Sequence, residues 1–112
     1  MKYTKEIKDD ILYLRFDGDL IGENNGPELV ELANEVIGKG ITQCLLDLSE
    51  VRYINSSGIG VLITLLTKFR NKKGELYLIN PSNHVNKLLM MTKLQAIFNI
   101  ASSEEEILGK TK

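Results

Sequence analysis

Apolar residues follow two rhythms along this chain, and the switches between them mark out its elements. Tyr3-Thr4-Lys5-Glu6-Ile7 can form a strand, Asp9-Asp10 a turn, and Ile11 to Phe16 alternates in part between apolar and mixed positions, so a hairpin is expected first. Gly18, Gly22, Asn24, Asn25 and Gly26 predict a flexible connection. Pro27 then takes a favourable first helical position, and Leu29, Ala33, Val36 and Ile37 follow at helical spacing until Gly38. Ile41 to Leu48 is apolar enough for an interior strand covered on both faces.

A second helix is expected to follow Ser56-Ser57. Its apolar residues Ile59, Val61, Leu62, Ile63, Leu65, Leu66 and Phe69 span roughly 200° of the helical wheel, about twice the width of a core-facing stripe. Two readings fit that width. Either the helix is sunk between the sheet and its neighbours, or some of Ile59, Val61, Ile63 and Leu65 remain exposed as an apolar patch beside the serines.

Basic residues from Arg70 to Lys73, then Gly74, predict a helix stop, and Glu75-Leu76-Tyr77-Leu78-Ile79 the next strand. Asn80-Pro81-Ser82 breaks direction, and Val85, Leu88 and Leu89 mark a short third helix capped by Ser82 or Asn83. Ala96 to Ile100 reads as a last strand, Ser102 with Glu105 as the capping box of a final short helix, and residues 109–112 as a loose tail. The order predicts one α/β domain over residues 1–112, with a mixed sheet of four to five strands, about four helices, and right-handed crossovers after the hairpin.

Composition narrows the function. A chain of 112 residues suits one domain, and 14 basic against 15 acidic residues, with no basic stripe, argue against nucleic-acid binding. The first residues lack the apolar core of a signal peptide, and no apolar run approaches the roughly 18 residues of a membrane span, so a soluble cytoplasmic protein is expected. Cys44 is alone, which excludes an internal disulfide, and its apolar surroundings make it a core filler.

The stretch from Asp47 to Gly60 carries the candidate chemistry. Hydroxyls at a helix start meet unpaired N–H groups and the positive end of the helix dipole, so negative charge is tolerated there and a phosphoserine would fit. The plainer roles are capping by Ser56 or Ser57, worth about 1 kcal/mol, and tight turning or close packing at Gly58 and Gly60. Enzyme readings fail residue by residue. A dinucleotide fingerprint needs a small residue where bulky Ile63 stands, and no Lys-Ser or Lys-Thr follows a glycine-rich loop. Glycine is missing two positions before either serine, and the sole histidine, His84, lies in the third predicted helix. Cys44 and His84 are isolated, and the acidic residues show no metal-ligand spacing, so neither a metal nor a cofactor is expected.

Leu45-Leu46-Asp47-Leu48-Ser49-Glu50-Val51 followed by Ile54-Asn55-Ser56-Ser57-Gly58-Ile59-Gly60-Val61-Leu62 resembles the STAS domain of bacterial anti-sigma factor antagonists. The similarity extends to Gly18-Asp19-Leu20, Gly74-Glu75-Leu76, Leu94 and Ile97-Phe98-Asn99-Ile100. The resemblance implies a switch that binds an anti-sigma factor when unphosphorylated and thereby releases a sigma factor. It makes Ser56 the phosphoacceptor and Ser57 a cap. The anti-sigma factor is itself the serine kinase, an ATPase by fold, and a metal-dependent phosphoserine phosphatase reverses the modification. This chain would be their substrate and not an enzyme. The implied contact face comprises Asp19, Leu20, Ile21, Gly22, Asn55, Ser57, Gly58, Ile59, Gly60 and Ile63.

Two residues depart from the family pattern. Asn55 stands where an Asp usually precedes the phosphoserine, and Ile21 stands where an Asp usually follows the Gly-x-Leu turn. The departures leave open a changed kinase partner, slower phosphorylation, or none. A scaffold or transport-accessory role without phosphorylation is therefore the second reading, and ligand sensing near the loop before the first helix the third.

Overall fold

The hairpin forms as its turn residues dictate. In this computed structural model, which describes residues 2–20 and 22–103, β1 (Lys2–Lys8) pairs antiparallel with β2 (Ile11–Leu20) in a register that sets Lys8 opposite Ile11. Asp9 and Asp10 both take positive φ, 54° and 63°, the backbone that turns a two-residue hairpin in the sense of its strand twist. After it come α1 (Gly22–Gly38), β3 (Gln43–Ile54), α2 (Ser56–Arg70), β4 (Glu75–Ile79), α3 (Asn83–Met91), one 3-10 turn (Leu94–Ala96) and β5 (Asn99–Ala101). The five strands lie side by side in chain order, and every pair after the first is parallel.

One face of the sheet carries the main core. Leu12, Leu14 and Phe16 of β2, Cys44, Leu46 and Leu48 of β3, and Leu76 and Leu78 of β4 meet Leu29, Ala33 and Val36 of α1. The same cluster takes in Leu62, Leu65, Leu66 and Phe69 of α2 and Val85 and Leu89 of α3. Each side chain buried this fully contributes about 1.5–3 kcal/mol, so α2 is fixed on the sheet along its length. Alternate residues face the other way, where Ile11, Leu45, Ile79 and Ala101 cluster with Tyr13 and Tyr77 against them. Cys44, Leu45 and Leu46 are all buried, as expected of a strand covered on both faces, and burial pushes the Cys44 thiol far above its ordinary range.

Several boundaries differ from the sequence reading. Gly18 is not in a connection but inside β2, at φ 99°, beside an irregularity in the pairing with β3, and its positive φ is what glycine supplies at a bulge. Helix α1 begins at Gly22 and holds Pro27 inside it, so the proline removes one hydrogen bond in the first two turns and does not open the helix. Strand β3 continues six residues past Leu48, to Ile54, because β2 stays paired with it as far as Leu20 opposite Ile54. Strand β5 starts at Asn99, since Leu94–Ala96 close a 3-10 turn behind Lys93. The predicted last helix and tail lie outside the described residues. Among those described, no helix is long and apolar enough to cross a membrane.

The end of α2 assigns unexpected roles to two adjacent residues. Lys73, not Gly74, takes the left-handed backbone, at φ 62°. Gly74 donates its N–H to Phe69 O at 2.9 Å and lies so close to Thr42 that a Cβ would collide with the Thr42 carbonyl. That carbonyl accepts the Glu75 N–H at 3.0 Å and so starts the β3–β4 ladder.

Candidate functional site

The site is built where β2, β3 and α2 end or begin together. Parallel pairing sets Asp19 opposite Tyr53 and Leu20 opposite Ile54, which brings the end of β2 beside Asn55 and the mouth of α2. Gly22 opens α1 a short step on, and Ile21 lies outside the described residues. Asp19 is half-buried, with its carboxylate 3.5 Å from Arg52 Nη2.

The helix is capped by Asn55, a task the sequence reading gave to Ser57. With an extended backbone at φ −97° and ψ 178°, Asn55 accepts the Gly58 N–H on Oδ1 at 2.7 Å and the Ile59 N–H on its carbonyl at 3.0 Å. Asn and Ser cap almost equally well, so residue type could not separate them. The result frees both serines. Ser56 and Ser57 are exposed, and no other described residue hydrogen-bonds the Ser56 hydroxyl. The first turn of α2 holds no acidic residue, so its positive end faces solvent without a carboxylate of its own.

Successive helical residues point about 100° apart, and this separates the two serines. Ser56 shares a stripe with Ile59, Ile63 and exposed Gly60, whereas Ser57 turns toward α1 and lines the groove between the two helices. The apolar arc of α2 is divided accordingly. Of the four candidates for an exposed patch, Ile59, Val61 and Ile63 are half-buried and flank the core, while Leu65 is 1% exposed and belongs to the core. Its helical angle falls between those of Leu62 and Val61, on the side that faces the sheet. Gly58 is buried and its N–H is engaged by the cap, while a Cβ on Gly60 would meet nothing within 4 Å. The close-packing role expected of both glycines therefore does not apply to Gly60.

One aromatic group near the site was not singled out from the sequence, and the sequence reading weighed its partner His84 only as a base or metal ligand. Tyr53 is 46% exposed, two residues before Asn55, with its ring 5.8 Å from that of His84. The signal was hidden because the strand was ended at Leu48. Asp47, in contrast, is engaged elsewhere: its carboxylate pairs with Arg15 Nε at 3.1 Å and accepts both the backbone N–H and the hydroxyl of Ser49.

The STAS domain family matches residues 2–107. A protein named as the anti-sigma factor antagonist BtrV of Bordetella bronchiseptica is 32% identical over 106 residues, 94% of this chain and 90% of that one. The crystal structure of an anti-sigma factor antagonist from Thermotoga maritima superposes with a TM-score of 0.86 at 26% identity, covering 96% of this chain and 92% of that one. Bacillus SpoIIAA in its phosphorylated form shares the fold, with a TM-score of 0.78 at 18% identity over 99% of this chain and 100% of its own.

Proposed function

The chain belongs to the STAS domain family, and from that premise we propose that it is a cytoplasmic anti-sigma factor antagonist switched by phosphorylation of Ser56. Unphosphorylated, it captures an anti-sigma serine kinase and so releases a sigma factor. Phosphorylated, it lets the kinase go, until a metal-dependent phosphoserine phosphatase restores it. The chain is then a substrate of both partners and contributes no catalytic group.

The observation that carries this reading is the exposed Ser56 hydroxyl at the mouth of α2, relieved of capping by Asn55. A phosphate adds about −1.5 to −2 charges and three acceptor oxygens. In the free domain these lie by the N–H groups of a helix start that has no carboxylate, so the fold tolerates them. Pressed into a close interface, the same group brings repulsion and a desolvation cost, and binding fails. SpoIIAA supports a fold that persists through the change, since its unphosphorylated form also matches this chain, with a TM-score of 0.75. Asn55 caps the helix without the charge an Asp would carry there, so the incoming phosphate meets less repulsion from its neighbour.

The contact face in this reading runs from Asp19 through Leu20, Ile21 and Gly22 to Asn55, Ser57, Ile59, Gly60 and Ile63. Buried Gly58 shapes the turn beneath it. Incubation with the anti-sigma kinase and ATP, followed by intact-mass analysis and site mapping, tests the assignment: phosphate on Ser57 with none on Ser56 overturns it. Ser56→Asp should weaken capture and Ser56→Ala preserve it. Equal affinity of the two variants refutes the switch, and a stable complex with a non-kinase partner without phosphate in cells favours the scaffold reading.

A further inference from the structure

We propose that the groove between α1 and α2 receives one apolar side chain of the anti-sigma factor, with a basic residue of that partner beside it on Glu31. The inference rests on the antagonist reading and adds the chemistry by which the partner is held. The groove is a shallow, open depression, lined by Pro27 and Val30 of α1 and by Gly60 and Val61 of α2, with Ser57 and Glu31 also at its edge. Its floor is closed by direct helix contact, since a Cβ on Gly26 would stand 2.9 Å from Val61 Cγ2.

Gly60 points to an occupant. A glycine in a helix interior costs about 0.5–1 kcal/mol relative to alanine, so its presence needs a reason. The chain supplies one for Gly18 in its positive φ, for Gly26 in its contact with Val61, and for Gly74 in its approach to Thr42. Gly60 and Gly38 have none of these, with no positive φ and empty space for 4 Å where a Cβ would stand, but Gly38 ends α1 whereas Gly60 lies inside α2. The room is left on the outside, on the groove, one helical turn from Ser56 and Ser57. A partner that covers Ser56 lies across this depression, and an apolar side chain entering it buries the exposed edges of Pro27, Val30 and Val61.

Charge selects the flanking group. Glu31 is exposed and takes part in no ion pair among the described residues, whereas Glu35 on the same helix is paired with Lys39 and Glu28 accepts the Tyr3 hydroxyl. A free carboxylate at the rim of an apolar slot suits a Lys or Arg next to the entering side chain, and disfavours a partner with an acidic residue there.

Gly60→Leu tests the proposal, because its Cβ enters empty space while the rest of the side chain fills the groove. Affinity for the purified anti-sigma factor of the same organism is measured by calorimetry, with melting temperatures in parallel, for the wild type, Ser56→Asp, Gly60→Leu and Glu31→Lys. The expected result is at least tenfold weaker binding by Gly60→Leu at an unlowered melting temperature, and a several-fold loss with Glu31→Lys. Wild-type affinity in both Gly60→Leu and Glu31→Lys, with Ser56→Asp weakened, overturns the groove while the antagonist reading stands. Should Gly60→Leu melt early, Glu31→Lys decides alone: a several-fold loss supports the proposal and unchanged binding overturns it. A wild-type chain that binds no anti-sigma factor overturns both.

Discussion

Exchanging the two residues that close α2 should move stability in opposite directions, against the ordinary expectation that the glycine is the left-handed one. In Gly74→Ala the new Cβ runs into the Thr42 carbonyl and stands 2.7 Å from Thr42 Cβ, and a backbone group cannot swing aside as a side-chain tip can. Relief requires moving the carbonyl that accepts the Glu75 N–H, at the point where Gln43 and Glu75 start the β3–β4 ladder. Overpacking of this kind costs about 1–3 kcal/mol, and a stranded backbone group about 1–3 kcal/mol more. A less flexible unfolded chain returns up to about 1 kcal/mol, which leaves a net loss of about 1–6 kcal/mol. For a domain of this size that lowers the melting temperature by on the order of 10 °C. Lys73→Gly removes a side chain from a left-handed backbone at φ 62°, relieving about 1–2 kcal/mol against up to about 1 kcal/mol of added unfolded-state freedom. A net gain near 0.5–1 kcal/mol follows. Urea unfolding followed by far-UV circular dichroism at fixed temperature measures both. A loss below about 1 kcal/mol for Gly74→Ala, or a destabilised Lys73→Gly, refutes the assignment of strain to these positions.

Two further predictions concern single contacts. Asn55→Ala should cost about 1 kcal/mol by stranding the Gly58 N–H, while Asn55→Asp keeps the bond and gains about 0.3–1 kcal/mol from charge at the helix start, both read by chemical denaturation. The Tyr3 hydroxyl is pushed up to about 12 by burial, then by its hydrogen bond to Glu28 and the charge there. Its contribution is whole below pH 10.0 and is lost as pH rises toward about 12, so Tyr3→Phe should flatten the fall in stability across that window in urea titrations at stepped pH.

Elements whose ends are set locally were legible in the sequence. The Asp9-Asp10 turn and the whole of β4 follow from nearest neighbours and short-range bonds. What the sequence hid was settled by distant partners. The end of β3 carries exposed Glu50, Arg52 and Tyr53 and reads as loop, yet pairing with β2 keeps it extended. Pro27 resembles a helix opener because its missing N–H is cheapest there, yet α1 already runs from Gly22. In the candidate site, Ser56 and its exposure agree with the residue pattern, whereas the division of labour among Asn55, Ser56 and Ser57 depends on which oxygen reaches the Gly58 N–H. The separate reasons for Gly26 and Gly74 lie in contacts across many residues, which a linear pattern does not record.

The strands of the sheet stand in space in the order in which they are made. Each new strand needs only its predecessor as a template, so no edge has to be held open for a segment synthesised later. Each crossover closes over no more than one helix and its connections, which keeps its entropy cost modest, although parallel pairing forms more slowly than the hairpin. As the polypeptide leaves the ribosome, β3 can already zip onto the finished hairpin and α2 can settle over them. The residues around Ser56 would thus be assembled before the last third of the protein has emerged.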